Sequence, residues 1–185
     1  MGLDVYFCTD KDEELEETDE QDKLHSLSRE FCNLIFRKSV IKHEAELEQI
    51  SKITDTDISF IYQMVDYPND EFLENQLEFA EDEKEKQEIL RTTEKQRTEL
   101  ANNLNSVLLK INSLIEKLSK IADLNKLLLP TNYDTLNAAY YFSDFAIDKG
   151  EGYIRNNFGQ DLRNFKRFLE FAKENGAKTV WFMVG

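Results

Sequence analysis

The most regular hydrophobic pattern in the chain lies between residues 100 and 121, where apolar residues recur at alternating steps of four and three. This spacing predicts one face of a long helix. Further apolar residues beside it widen the stripe to about three positions in seven, which favours packing against several helices over a simple two-stranded coiled coil. We expect this face to close within the chain or against a second copy. The candidate packing and interaction residues are Leu100, Leu104, Val107, Leu108, Ile111, Leu114, Ile115, Leu118 and Ile121.

The two ends of the chain carry strand-forming residues. Residues 2–9 (GLDVYFCT) and 179–184 (TVWFMV) are rich in β-branched and aromatic side chains and are apolar on both faces, as expected of buried strands. Because an isolated buried strand would leave its amides unsatisfied, we expect both segments to lie in one small sheet.

Helical periodicity predicts further elements between the strands. Thr56 or Asp57 is expected to cap one of these helices, and Asn175-Gly176 is expected to end the last one. From residue 69 to residue 128 the pattern predicts either one long helix or a hairpin with a turn near residues 81–98. The remaining predicted helices cover about residues 23–38, 42–53, 57–66 and 161–175.

Together these elements predict an α+β fold that is predominantly helical, in a single domain over residues 1–185. We expect a small sheet, including the N- and C-terminal strands, to pack on the first and last helices. A long-helix hairpin or bundle, coiled-coil-like over about residues 69–128, is inserted between the strands. The length of 185 residues is sufficient for one domain with a substantial core.

The charge of the chain limits the classes of partner that it is expected to bind. It has 37 acidic and 23 basic residues, a formal net charge of -14, and residues 10–22 hold nine acidic residues with one lysine, which predicts a mobile acidic loop. Nucleic acids and anionic membranes need a basic face, so neither is expected as a partner. No apolar run approaches the roughly 18 residues of a membrane span. The first residues lack the charged-then-apolar pattern of a leader, so we expect none, and Cys8 and Cys32 are too few for a disulfide scaffold. We therefore expect a cytoplasmic protein.

Both histidines occur near residues that suggest chemistry. His25 and Cys32 are seven residues apart on the predicted first helix, where two turns separate them by about 10 Å. That distance is too long for a base to activate a thiolate, so we interpret Cys32 as structural. His43 and Glu46 form half of the pattern found in dimetal-carboxylate bundles, but the second half is missing. A surface ion pair is the expected role of these two residues.

The segment with Asp55, Asp57 and Ser59 starts like a calcium-binding loop, but its sixth position is Phe60 rather than glycine. We interpret it as a helix cap whose apolar residues enter the core. The G-x-G pattern within residues 148–152 has no helix context that would indicate a phosphate site. We interpret it as a turn.

Basic residues cluster on the last predicted helix. Arg163, Lys166 and Arg167 fall on its outer side, with Arg155 and Lys173 nearby in the sequence. These side chains either solubilise the helix or form a docking patch for an acidic partner or for the protein's own amino-terminal run.

Three short motifs occur in the chain: residues 1–6 (MGLDVY), residues 28–31 (SREF), and residues 128–131 (LLPT) ahead of a tyrosine-rich segment at 140–142 (YYF). With these motifs the chain resembles a group of small uncharacterised proteins from phages, prophages and bacterial genomes. The resemblance implies a bacterial or phage cytosolic α+β protein, and it implies no catalytic residue.

Function is inferred from the helical faces, because no motif reaches the strength of a catalytic, cofactor or metal signature. We assign no catalytic residue, cofactor or metal ligand. The long helical face favours a non-enzymatic protein–protein interaction module, with self-association through the long helix as one form. The alternative is an acidic decoy, inhibitor or immunity-type protein that binds a basic partner through residues 10–22. An enzyme that uses His43, Glu46 or Asp144 is the third hypothesis.

Overall fold

A two-stranded antiparallel sheet joins the two ends of the chain. Strand β1 (Val5–Thr9) pairs with strand β2 (Val180–Val184), with Val5 opposite Val184 and Thr9 opposite Val180. The prediction that the terminal segments share one sheet is confirmed. The structure is a computed structural model, and it describes residues 5–12, 15, 18–37, 44–129, 138–148 and 154–185.

Helices make up most of the described chain, which confirms the α+β, predominantly helical fold. None of the described helices combines the length and the apolar composition that a membrane span requires. The helices are α1 (Asp19–His25), α2 (Arg29–Phe36), α3 (Glu46–Thr54), α4 (Ser59–Val65), α5 (Asp70–Glu78), α6 (Glu83–Leu100), α7 (Leu104–Leu118), α8 (Leu124–Leu127), α9 (Ala138–Tyr141) and α10 (Phe158–Glu174).

The predicted first helix is two helices in the structure. α1 ends at His25, the backbone from Ser26 to Ser28 is non-helical, and α2 begins at Arg29. Ser28 is the N-cap of α2, where its side chain accepts a hydrogen bond from the Phe31 N–H. The prediction of one helix is therefore wrong, because a serine cap marks a boundary that the apolar spacing does not interrupt.

The stretch predicted as one helix or a hairpin is divided at three points. α5 and α6 are separated at residues 79–82, α6 and α7 at residues 101–103, and α7 and α8 at residues 119–123. Asn102 adopts a left-handed backbone conformation with a φ of 60°, which asparagine tolerates better than most residues. Just after it, the Leu104 N–H donates to the Lys178 carbonyl oxygen. The second break therefore falls inside the heptad run, where this contact anchors the start of α7 beside β2.

Helix α4 begins two residues later than predicted. Its N-cap is Ile58 instead of either predicted residue, although the Asp57 carboxylate accepts a hydrogen bond from the Ser59 N–H. Ile58, Phe60 and Ile61 are buried, which confirms that the apolar residues of this segment enter the core.

Helix α10 begins three residues earlier than predicted, because the Asn157 side chain caps it by accepting the Gln160 N–H. It ends at the predicted cap, with Asn175 followed by Gly176 at a φ of 87°. Its predicted inner face is confirmed as buried, and comprises Leu162, Phe165, Phe168, Leu169 and Ala172.

Helix α7 packs against α10 and contributes one side of the core. Its heptad positions therefore meet another helix of the same chain. The residues of the candidate face that are at most 1% exposed are Leu104, Val107, Ile111, Leu114 and Leu118. The residues that are half-buried at its margins are Leu100, Leu108, Ile115 and Ile121.

Candidate functional site

A cleft of about 360 Å³ lies between β1 and the segment that joins α1 to α2. Its volume falls in the range of ligand-binding clefts, roughly 300–1,000 Å³. We call it the β1 cleft, and it combines strand backbone with polar and aromatic side chains. Its lining includes residues 5–7 together with Asp22, His25, Arg29, Cys32 and Phe168.

One edge of β1 faces the β1 cleft. The Asp10 N–H donates to the Thr179 carbonyl oxygen across the sheet, and in an antiparallel pair every second residue exchanges such bonds. Tyr6 and Cys8 therefore direct their backbone N–H and C=O groups toward β2. Because β2, described in full, contributes no lining residue, the cleft lies on the other side of β1. The residues that direct their backbone groups to that side are Val5, Phe7 and Thr9.

Thr9 and Val180, which form the outward-facing pair at the other end of the sheet, have hydrogen-bond partners for backbone groups. The last residue of β1 donates its N–H to the Asp12 carboxylate. On the outer edge of β2, the Asn103 side-chain amide donates to the Val180 oxygen and accepts the Val180 N–H, both at 2.8 Å. Among the described residues, no hydrogen bond engages the outward backbone groups of Val5 and Phe7. The open part of the edge is thus the part that lines the cleft.

His25 forms much of the opposite wall. Its ring packs against Phe168 and Phe171, with centroid distances of 5.7 and 5.2 Å, and it is 8% exposed. Asp22 and Arg29 are exposed and place one negative and one positive side chain at the rim. The cleft therefore has an aromatic floor and a polar opening.

The structure brings His25 and Cys32 to this same cleft. The premise that one rigid helix holds them about 10 Å apart is wrong, because α1 and α2 are separate helices. Cys32 is 2% exposed, as its interpretation as a structural residue requires.

The buried carboxylate of Asp161 on α10 holds the cleft wall in place by accepting hydrogen bonds from Ser28. One turn further along α10, the Asn164 Nδ2–H donates to the Ser26 carbonyl oxygen at 2.8 Å. The bonds to Ser26 and Ser28 attach the turn between α1 and α2, which forms the wall, to α10. The donors to the Asp161 carboxylate are the Ser28 N–H (2.9 Å), the Ser28 hydroxyl, the Tyr141 hydroxyl (2.7 Å) and the Asn156 amide (2.9 Å).

The charge state of Asp161 follows from its surroundings. Burial raises its pKa from 3.8 to about 6, against the lowering effect of hydrogen bonds from Ser28, Asn156 and Tyr141. Asp161 lies in the first turn of α10 and next to the N-terminus of α2, where backbone N–H groups favour a negative charge. Burial and the nearby Asp161 charge raise the pKa of Tyr141 well above 10. At pH 7 the cluster is a carboxylate surrounded by four donors.

The enzyme hypothesis names His43, Glu46 and Asp144, and the structure describes the last two, which both make structural contacts. His43 lies outside the described residues. Glu46 is 2% exposed and pairs with Arg37 at 2.7 Å, so the prediction of a surface ion pair is wrong for its carboxylate. The Asp144 carbonyl oxygen accepts the amide of Asn157, the N-cap of α10. In the part of the chain that the structure describes, no group of three His, Cys, Asp or Glu residues could hold a metal ion.

The calcium-loop-like segment connects three helices. Asp55 is the C-cap of α3, in a left-handed conformation with a φ of 46°. The Lys110 ammonium of α7 donates to Asp57 at 2.8 Å and lowers the pKa of that carboxyl to about 2. These residues therefore join α3 to α4 and attach the junction to α7, in agreement with a capping role.

Three basic residues of α10 have contacts within the chain. Arg163 donates to the Phe145 carbonyl oxygen, and Arg167 pairs with Asp148, both at 3.0 Å. Lys166 pairs with a carboxylate one turn along the same helix. These contacts favour the structural interpretation over a docking patch.

The acidic run has ordered residues at both ends. The Asp10 carboxylate accepts the N–H groups of Lys178 and Thr179 at 2.8 and 2.9 Å, and residues 19–22 belong to α1. The prediction that residues 10–22 form a mobile loop is therefore wrong for the two ends of this run. Some of the residues discussed above lie outside the described part of the chain. They are residues 13–14 and 16–17 of the acidic run, residues 1–4 and 130–131 of the motifs that carry the resemblance to phage and bacterial proteins, and residues 149–152 of the G-x-G pattern.

Asp161 and its donors are not among the residues predicted from the sequence to form a site. Asp161 shares a helical face with Phe165 and Phe168, four and seven residues further on. A carboxylate on an apolar stripe indicates a buried, hydrogen-bonded acid, and this signal could have found it. Its partners Ser28 and Tyr141 are 133 and 20 residues away, so the local pattern could not have identified them.

Over the described residues, the fold and the site define an α+β protein in which a cleft lies beside the edge of a terminal strand. No protein-family model matches the chain, and comparisons with curated proteins and with solved structures give no match either.

Proposed function

We propose that this protein is a non-enzymatic protein–protein interaction module that binds an extended segment of its partner along β1. The observation that carries the proposal is the edge of β1 at Val5 and Phe7, which faces the β1 cleft and has no hydrogen-bond partner among the described residues. Open strand edges bind peptides through main-chain hydrogen bonds to an added strand. In an antiparallel arrangement, a peptide residue opposite Phe7 would form two such bonds, and one opposite Val5 two more.

The register of the sheet determines the side chains that such a peptide needs. A residue directly opposite Phe7 points to the same face of the sheet as Phe7, whose ring stacks on Phe168 with a centroid distance of 4.3 Å. An apolar side chain fits this position. The residues before and after it point to the face of Tyr6, which is 53% exposed, and are polar. The proposed ligand is therefore a short extended segment with a polar–apolar–polar pattern.

The wall opposite β1 is ordered before any ligand binds. Asp161 and Asn164 of α10 hold Ser28 and Ser26 through three direct hydrogen bonds. A site that is already ordered loses less conformational entropy on binding than a flexible one. This arrangement supports a binding cleft with a fixed width.

Exchange rates of single backbone amides test whether the edge is open. The Tyr6 and Cys8 amides face β2 and should exchange slowly, whereas the Phe7 amide should exchange much faster in the free protein. Binding of an extended peptide should protect the Phe7 amide and leave the Tyr6 amide unchanged. Equal protection of Phe7 and Tyr6 in the free protein would contradict the open edge.

Two substitutions at Val5 test the binding mode with peptides selected from a phage-displayed library of random seven-residue sequences. Val5→Pro removes an outward N–H at the first strand residue, where proline is tolerated, while Val5→Ala shortens the side chain and keeps the N–H. We expect Val5→Pro to bind selected peptides about tenfold more weakly than Val5→Ala. Equal affinities, or selected peptides that lack an apolar residue between polar ones, would refute the proposal.

A further inference from the structure

The hairpin formed by α5 and α6, residues 70–100, presents a second surface that is distinct from the β1 cleft. The structure describes this stretch completely; α5 has no buried residue, and in α6 only Thr93 is buried. Phe79 is 81% exposed, Phe72 is 50% exposed and Leu90 is 46% exposed. Phe79 is the C-cap residue of α5 and follows Phe72 by seven residues, so both lie on the same side of this helix.

The α5–α6 hairpin has a fixed geometry. At its open end, the Arg97 side chain donates to the Pro68 carbonyl oxygen at 2.7 Å and pairs with Asp70 at 2.8 Å. At its closed end, the Asp82 side chain caps α6 by accepting the Glu85 N–H at 2.8 Å. The exposed aromatic residues are thus presented on ordered helices, which reduces the entropy lost when they bind.

The charge of the hairpin selects the kind of partner. Residues 70–100 contain eleven acidic and five basic residues, a net charge of -6. A second copy docked on the same surface would bring two like-charged hairpins together, which is unfavourable. A basic surface with an apolar groove complements the hairpin in both charge and hydrophobicity.

We propose that the α5–α6 hairpin docks into an apolar groove, rimmed by lysine and arginine, on a partner protein. Phe72 and Phe79 are the anchors of a helix-in-groove contact, and aromatic side chains commonly dominate the affinity of such interfaces. The carboxylates around them pair with the basic rim of the groove. Because no residue of the hairpin lines the β1 cleft, this proposal does not depend on peptide binding along β1.

A designed amphipathic helix of leucine and lysine tests this surface, because it offers an apolar stripe flanked by positive charge. Its affinity for the full chain is measured by calorimetry at low and high salt. We expect Phe79→Ser to weaken binding about tenfold, and the pair Glu71→Lys and Glu78→Lys to weaken it and flatten its salt dependence. Leu109→Ser is the matched control, since Leu109 is 70% exposed on α7, outside the hairpin, and should leave the affinity unchanged.

Three results would overturn the proposal. Equal weakening by Phe79→Ser and Leu109→Ser would indicate non-specific hydrophobic contact. If Phe79→Ser and the Glu71→Lys, Glu78→Lys pair both left the affinity for the designed helix unchanged, the helix would bind elsewhere on the acidic surface. Sedimentation that shows a dimer of the original chain but not of Phe79→Ser would make a second copy the occupant. Circular dichroism spectra that match the original protein would establish that the variants are folded.

Discussion

Replacement of Asp161 by asparagine removes a buried carboxylate whose titration is linked to stability. Because burial raises its pKa from 3.8 to about 6, the native protein binds this proton more tightly than the unfolded chain does. The resulting stabilisation is complete below about pH 4 and is lost as the pH rises through about 6. The free energy of unfolding of the original protein should therefore fall, relative to Asp161→Asn, across this window.

The magnitude of this effect follows from the two pKa values. The difference between 3.8 and about 6 corresponds to about 3 kcal/mol, and about 2 kcal/mol of this lies between roughly pH 4.5 and pH 7.5. Asp161 is 0% exposed, so screening by solvent does not reduce the figure. Carboxylates that titrate alike in both proteins cancel in the difference between them.

Urea unfolding followed by circular dichroism measures both free energies over this pH range. The difference between the original protein and Asp161→Asn should decrease by about 2 kcal/mol from low to high pH. Glu170→Gln removes an exposed carboxylate from the same helix and serves as the matched control, with no comparable slope expected. A difference that stays constant or grows with pH would refute the reasoning, because the hydrogen bonds and helix N-termini would then outweigh burial.

Two further substitutions test the buried cluster and the α7 stripe. Tyr141→Phe removes only the hydroxyl that donates to Asp161; urea unfolding should show a loss of about 1.5–3 kcal/mol, and carbon-13 NMR a higher pKa for the Asp161 carboxyl. Leu114→Ala, at a position that is 0% exposed, should destabilise by about 2–5 kcal/mol. Leu109→Ala on the same helix should stay within about 0.5 kcal/mol, and equal effects of the two would contradict this assignment of faces.

The elements that are determined by residues close together in the sequence could be predicted from it. Both terminal strands and the Asn175 cap of α10 follow from short-range periodicity and cap residues. The break between α1 and α2 was not predictable in this way, because Leu24, Leu27 and Phe31 keep helical spacing across it. The bonds that stabilise the break come from Asp161, which is 133 residues away in the sequence.

The candidate site was predictable only in its individual residues. His25 and Cys32 were identified as notable, but their position beside β1 depends on tertiary packing. An open edge is a property of strand pairing, and periodicity predicts a strand without predicting its neighbours. Only the fold shows that Asn103 caps the Val180 backbone. Only the fold shows that Val5 and Phe7 lack such a partner among the described residues.

The Asp161 carboxylate affects the β1 cleft in a way that an apolar side chain could not. Replacing buried charged groups by apolar ones is often neutral or stabilising when all partners are replaced together. Here one donor is the backbone N–H of Ser28, which no substitution at residue 28 other than proline removes, and leaving it unpaired would cost about 1–3 kcal/mol. The carboxylate therefore stabilises one specific turn, and that turn sets the distance between the cleft wall and the open edge of β1.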